Sequence, residues 1–295
     1  MNDFTAYLEE QRERVNRALE RLLPEARQPE IIYEAMRYSV AAGGKRLRPI
    51  LTLAAAETFG TDSGAVMEIA CAVEFIHTYS LIHDDLPAMD NSDLRRGKPT
   101  CHRVFGEAVA VLAGDALLTY AFELMARYGL ERGCAREALQ ISAELARAAG
   151  VAGMIGGQVL DLQAEGRALE LEELERLDGL KTGALLQAAA RCGALAAGAS
   201  PAELQALSGY ASRLGLAFQI VDDLLDREST AAELGKPAGA DQAQGKATYP
   251  ALLGEAAARR RIDALYREAL SFLDGLDRPA ALLRALAERL VYRSN

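Results

Sequence analysis

Two groups of aspartates, Asp84, Asp85 and Asp90 and, far along the chain, Asp222, Asp223 and Asp226, are the residues whose types and spacing most clearly permit chemistry. Each group lies in a stretch otherwise apolar enough to be buried, 75–86 and 214–225. Like charges about 4 Å apart cost roughly 4 kcal/mol per pair at an effective dielectric near 20, so such clusters need counter-cations, protons or water. An all-oxygen donor set favours a hard cation, Mg²⁺ or Mn²⁺. Solvated faces with capping aspartates would explain one triplet alone; two triplets on apolar helices argue against that.

Cations stand near these carboxylates in sequence. Gly43-Gly44-Lys45-Arg46-Leu47-Arg48-Pro49 puts Lys45, Arg46 and Arg48 beside two glycines, whose backbone N–H groups can approach a ligand closely. The pattern suits a diphosphate cradle. Arg95 and Arg96 follow the first acidic group, and guanidinium forks match phosphate oxygens. Lys181-Thr182 and Lys236 bring further cations to the second half of the chain.

The elements that position these groups read as helices. The 295 residues show no linker or composition break and are rich in Ala, Leu, Glu and Arg, with few β-branched runs, so one large all-α domain is expected over 1–295. Helical patterns run through 4–22, 29–42, 48–59, 64–86, 106–127, 134–149, 151–164, 171–197, 201–228 and 248–291, the last broken at least once. On the second of the acidic helices, Asp222, Asp223 and Asp226 share one face. On the first, Pro87 ends the helix and Asp90 returns from a loop. Three segments escape the helical pattern, the Gly43–Arg46 turn, Met89–Cys101 and Arg227–Ala247, and all adjoin the charged groups.

A net charge of −9 and the absence of Trp argue against a nucleic-acid partner. Cys71, Cys101, Cys134 and Cys192 lack metal-ligand or redox spacing and read as reduced thiols, which fits the cytoplasm. The charged segment 1–14 is unlike a signal peptide, and the longest uncharged stretch, 148–160, is too short and Gly-rich to span a bilayer.

Taken together and in order, the motifs identify a resemblance. Gly43–Pro49, Ser80-Leu81-Ile82-His83-Asp84-Asp85-Leu86-Pro87-Ala88-Met89-Asp90, Asp93-Leu94-Arg95-Arg96-Gly97, Phe105–Ala108, Leu112–Leu117, Gly156-Gly157-Gln158, Lys181-Thr182-Gly183, Gly215–Asp226, Gly235-Lys236 and Gly245–Pro250 resemble the all-trans short-chain prenyl diphosphate synthases. Among these the chain is most similar to the bacterial farnesyl diphosphate synthases.

That resemblance implies an isoprenoid-synthase helical bundle with a central active-site cavity, usually a homodimer, and three Mg²⁺ ions, with Mn²⁺ as a substitute. It implies condensation of isopentenyl diphosphate with dimethylallyl and geranyl diphosphates. Asp84, Asp90 and Asp222 would ligate metal directly, and Asp85, Asp223 and Asp226 directly or through water. Arg95, Lys181 and Lys236 would hold the allylic diphosphate; Gly44, Lys45, Arg48, His77 and Arg96 would hold isopentenyl diphosphate. Lys181, Thr182 and Gln219 take the catalytic positions, the latter two placing partial negative charge near the carbocation. Tyr79, with Ser80, would set product length, since Tyr79 lies five residues before Asp84, about 7.5 Å along a helix. His83 and His102 read as structural, and Phe218 as core or cavity wall.

Two departures stand out: Asn91-Ser92-Asp93 where relatives are often more acidic, and Ala247 where they often carry Ser. Arg293, in the short basic tail, is a candidate cover for isopentenyl diphosphate. The expected activity is (2E,6E)-farnesyl diphosphate synthesis. The alternatives are a geranyl or geranylgeranyl diphosphate synthase and a non-catalytic subunit of a heteromeric synthase. A terpene cyclase would not need the Gly44, Lys45 and Arg48 cradle.

Overall fold

The computed structural model describes residues 2–228 and 247–292. Among them are fourteen α-helices and one two-residue β-ladder. In chain order the helices are α1 (Asn2–Leu22), α2 (Glu30–Val40), α3 (Leu47–Thr58), α4 (Met67–Asp84), α5 (Cys101–Phe105), α6 (Glu107–Glu131), α7 (Ala135–Ala149), α8 (Met154–Ala164), α9 (Leu171–Asp178), α10 (Ala184–Ala196), α11 (Pro201–Glu228), α12 (Tyr249–Leu253), α13 (Glu255–Asp274) and α14 (Ala281–Val291). The all-α expectation is met.

Apolar residues on nearly every face of α4 make it the axis of the bundle. Ile69 to Val73, Phe75 and Ile76 are fully buried, and α1, α2, α3, α6 and α10 pack around it. By length and composition, Ser63–Asp84 and Glu107–Glu131 match membrane spans, although neither is free of charged residues. The first is mostly buried inside the bundle, as a core helix is. Glycine lets α10 lie close to α3: a Cβ on Gly193 would overlap the Thr52 carbonyl oxygen.

Local signals fix the helices that carry the acidic groups. At the start of α11 the Ser200 hydroxyl accepts from the Glu203 N–H and the Glu203 carboxylate accepts from the Ser200 N–H, a reciprocal cap with Pro201 in the first turn. α4 stops where Pro87 disfavours helix at Leu86. The chain then folds back, with Asp90 N–H donating to the Asp84 carbonyl and Ser92 N–H to the Asp85 carbonyl.

The structure refines two expectations. Met89–Cys101 is not wholly loop: β1 (Leu94–Arg95) pairs antiparallel with β2 (Lys98–Pro99), and Cys101 opens α5. The two-residue turn uses positive φ at both Arg96 (54°) and Gly97 (74°), the twist that suits a hairpin. The expected single helix over 171–197 is interrupted at Gly179–Gly183 by a π-helical turn.

Gly193→Ala should force α3 and α10 apart and destabilise the fold by about 1–3 kcal/mol. A lowered Tm by circular dichroism, with the far-ultraviolet helical spectrum retained below the transition, is the expected result.

Candidate active site

The first acidic group divides by exposure. Asp85 is buried and its carboxylate takes a two-oxygen fork from Arg95, with Nε at 2.8 and 2.9 Å and Nη2 at 2.7 Å. Burial raises the Asp85 pKa, and the Arg95 guanidinium opposes that rise. Asp84 and Asp90 are half-buried, and Asp84 Oδ1 accepts a 2.7 Å hydrogen bond from Gln158 Nε2 on α8. The hairpin thus delivers Arg95 to the carboxylates at the end of α4.

The three cations of the glycine turn separate: Lys45 faces solvent, Arg48 meets His77 and Arg46 turns into the bundle. Gly43 and Gly44 have φ of 88° and 125°. A Cβ on Gly44 would lie 2.5 Å from Arg96 Cζ, and Arg96 donates to the Gly43 carbonyl, so the hairpin tip closes over the turn. Lys45 is exposed. Arg48 Nη1 meets His77 Nε2 at 3.2 Å. A guanidinium only donates, so Nε2 is the acceptor and the proton of a neutral imidazole sits on Nδ1. Burial, reinforced by Arg48, pushes the His77 pKa well down and keeps the ring neutral. Burial also lowers Arg48 to about 10, while Glu74 and Asp222 favour its charge. Arg48 Nε has no partner among the described residues. Arg46 departs from expectation: it is buried and bonded within the protein, and so is no part of the cradle surface.

Helix α8 links the two halves. Gln158 and Asp161, three residues apart, share a face; the first reaches Asp84 and the second pairs with Lys181 Nζ at 2.6 Å. Lys181 and Thr182 lie on the π turn, a local form frequent at functional sites. Gly157 lets α8 reach that turn, since a Cβ there would lie 2.5 Å from Lys181 Cα. Thr182 Oγ1 donates to Gln219 Oε1 at 3.4 Å, outside its own helix, and Gln219 Nε2 donates to Asp223 Oδ1 at 3.1 Å. Asp223 Oδ2 accepts from the Tyr249 N–H at 3.0 Å. Asp223 and Asp226 are buried, and Asp222 is the most open of the three.

Tyr79 is buried with its ring edge on His83, centroids 5.7 Å apart, and its hydroxyl has no hydrogen-bond partner among the described residues. Ser80 is half-buried and bonds back to the His77 carbonyl. His83 is held by the Val111 carbonyl and His102 by Thr100, both structural roles. Phe218 is half-buried against the core. Lys236 and Arg293 lie outside the described residues, as do residues 229–246 of the loop expected over Arg227–Ala247; that loop starts later than expected, because α11 continues through Arg227 to Glu228.

Residues 29–272 match the model of the polyprenyl synthetase family. The chain belongs to that family. It is 47% identical over 98% of its length to the farnesyl diphosphate synthase of Geobacillus stearothermophilus, covering 97% of that protein. It is 49% identical over 99% of its length to the heterodimeric geranylgeranyl pyrophosphate synthase large subunit 1 of Arabidopsis thaliana, covering 80% of it. The structure of the geranyltransferase of Helicobacter pylori complexed with magnesium and isoprenyl diphosphate aligns with a TM-score of 0.84 at 35% identity, over 97% of this chain and 95% of that one. The resemblance carried by the motifs is borne out, as is the isoprenoid-synthase type of fold.

The donor set of this polyprenyl synthetase suits magnesium. Asp84, Asp90 and Asp222 offer oxygen only, from half-buried positions. Among the described residues no three acidic, His or Cys groups converge on one point. Magnesium is commonly held by one or two carboxylates plus substrate phosphates, an arrangement these residues accommodate.

Asp178, at the end of α9, was not among the residues singled out from the sequence, where it reads as an ordinary helical polar residue. It is buried beside Asp223, Asp161, Lys181 and the Tyr249 hydroxyl. Burial, with the Asp223 charge, raises its pKa to about 8. Asp161 and Gln158 were likewise missed as site residues, although their spacing on one helix face was a readable signal.

In the folded protein Asp178 keeps its proton up to about pH 8, whereas an unfolded carboxyl loses it near 4. The folded state binds the extra proton in that window, so stability falls as pH rises through it. Asp178→Asn removes the titration, so the variant's Tm should gain on the wild type between pH 5 and pH 9 in a differential scanning series.

Proposed function

We propose that this polyprenyl synthetase makes (2E,6E)-farnesyl diphosphate by adding isopentenyl diphosphate to dimethylallyl and then geranyl diphosphate. It acts with three Mg²⁺ ions, for which Mn²⁺ substitutes, as a cytoplasmic homodimer. The observation that carries the reading is the pairing of two acidic groups with two sets of cations around one site. Gln158 ties Asp84 to α8, Asp161 on the same helix holds Lys181, and Arg48 on His77 lies within the field of Asp222.

Arg95, Lys181 and Lys236 bind the allylic diphosphate; Arg95 and Lys181 rest on Asp85 and Asp161 in partly exposed pairs, and exchange those partners for phosphate oxygens. Gly44, Lys45, Arg48, His77 and Arg96 hold isopentenyl diphosphate. Asp84, Asp90 and Asp222 hold metal, backed by Asp85, Asp223 and Asp226. When bound, magnesium neutralises the leaving diphosphate as the allylic C–O bond breaks. Thr182 and Gln219, joined by a hydrogen bond and steadied through Asp223, place oxygen atoms toward the cation. The departing diphosphate accepts the proton lost after the double bond attacks, so no side-chain base is required.

The homodimer reading is supported by α6 and α8. Both carry exposed apolar side chains, Val111 and Leu112 on one and Ile155, Val159 and Leu162 on the other, an apolar surface of the kind that interfaces cover. Cytoplasmic placement is supported by four free cysteines, three of them buried. Overall identity does not separate farnesyl from geranylgeranyl synthesis, because relatives of both kinds match at 47–49%. Tyr79 is the residue on which product length rests.

Asp84→Ala or Asp222→Ala should lower the turnover of geranyl with isopentenyl diphosphate at least about 10²–10³-fold, the scale of losing one preorganised electrostatic contact. Near-normal rates in either folded variant would exclude the two-cluster mechanism. The wild type should stop chiefly at fifteen carbons, and Tyr79→Ala should shift labelled products to twenty carbons or more while turnover continues. A Tyr79→Ala variant that still ends at fifteen places the floor elsewhere.

A further inference from the structure

Arg46 is a non-glycine residue held at φ 49°, in the left-handed region that side chains disfavour. What holds it there is its own side chain. All three guanidinium nitrogens are engaged: Nε donates to Asn16 Oδ1 of α1 at 2.8 Å, Nη1 to Glu74 Oε1 of α4 at 2.7 Å, and Nη2 to the Val40 carbonyl at the end of α2 at 2.6 Å. The Arg46 and Glu74 side chains are 2% and 3% exposed, so this ion pair is deep in the bundle and Arg46 has no face left for a ligand. Removing one partner of such a pair would leave a buried charge alone.

The location gives the pair a second consequence. Arg46 is the residue just before α3, between the cradle residues Gly43, Gly44 and Lys45 on one side and Arg48 on the other. Glu74 and His77 are three residues apart on α4 and so lie on one face. One turn of that helix therefore receives Arg46 through Glu74 and Arg48 through His77. The same helix ends at Asp84, so the position of the turn relative to the first acidic group is set through a single rigid element.

We propose that the buried Arg46–Glu74 pair, with Asn16, is a positioning device that sets the glycine turn and Arg48 for isopentenyl diphosphate, acting through its neighbours and touching neither substrate. It rests on the assignment of that turn to isopentenyl diphosphate above. The mildest variant is Asn16→Ala, which removes one hydrogen bond and leaves the ion pair; Glu74→Gln keeps the shape and removes the charge.

The test combines steady-state kinetics, with geranyl and isopentenyl diphosphates varied in turn, with hydrogen exchange of residues 41–48. Glu74→Gln should raise KM for isopentenyl diphosphate about tenfold, the size of one lost charge-assisted contact, and Asn16→Ala a smaller amount in the same direction. KM for geranyl diphosphate should move far less, and exchange in 41–48 should quicken in step with the rise. A purely structural role would lower Tm without that asymmetry between substrates, and equal shifts in both KM values overturn the proposal. Arg48→Ala serves as the reference. If it raises KM for isopentenyl diphosphate and Asn16→Ala does not, the positioning role fails while the cradle assignment stands. If Arg48→Ala itself leaves that KM unchanged, the assignment fails and takes the positioning role with it. Should Glu74→Gln not fold, Asn16→Ala decides between these outcomes.

Discussion

A bundle of apolar helices cannot hold bare carboxylates and guanidiniums in its interior, yet a site for two diphosphates and their metals needs both. The folded chain meets this constraint by pairing charges within the protein. Arg95 lies on Asp85, Lys181 on Asp161 and Arg46 on Glu74, while Gln158 satisfies Asp84 and the Tyr249 N–H satisfies Asp223. Two kinds of pair result. Arg95 and Lys181 are partly exposed, as the exchange of a carboxylate for phosphate oxygens proposed for them requires, whereas Arg46 is sealed. The first kind suits the proposed binding role, the second architecture.

Helix α4 turns that division into a layout. Glu74, His77, Tyr79 and Asp84 lie along one rigid rod, the first and last of them roughly 15 Å apart at 1.5 Å per residue. Cradle support, cradle contact, the proposed floor and the first acidic group are therefore placed by one element. The opposite wall is built differently. α11 carries Asp222, Asp223 and Asp226, and its side chains are tied to the π turn through Gln219 and Thr182. α8 spans the gap, with Gln158 reaching one wall and Asp161 the other. Deleting either contact would loosen the relation between the acidic groups without touching a helix core.

Much of this was legible in the residues alone. Amphipathic spacing and the scarcity of β-branched runs gave the helices nearly to their ends, because local propensity and burial agree along most of this chain. Pro87 marked the end of α4, and Ser200 with Glu203 marked the start of α11, since caps act over a few residues. The hairpin at Leu94–Pro99 and the π turn at Gly179–Gly183 were not read, as each departs from regular periodicity for only a few residues. Asp178 looked like any polar residue on a short helix, and only burial against Asp223 makes it an acid that keeps its proton near neutrality.

By itself the sequence determined the chemical inventory: two acidic groups with the all-oxygen donors that suit magnesium, cations fit for phosphate, a helical scaffold, and motif order sufficient to identify the family. It could not determine which charge meets which. Lys45, Arg46 and Arg48 are near-equivalent as a string, yet one is exposed, one is sealed against Glu74 and one rests on His77. The partners that separate them are 28 and 29 residues away, and those joining α8 to Asp84 and to Lys181 are 74 and 20 away. Electrostatic and hydrogen-bonding energies depend on distance through space, and that distance exists only once the helices have packed.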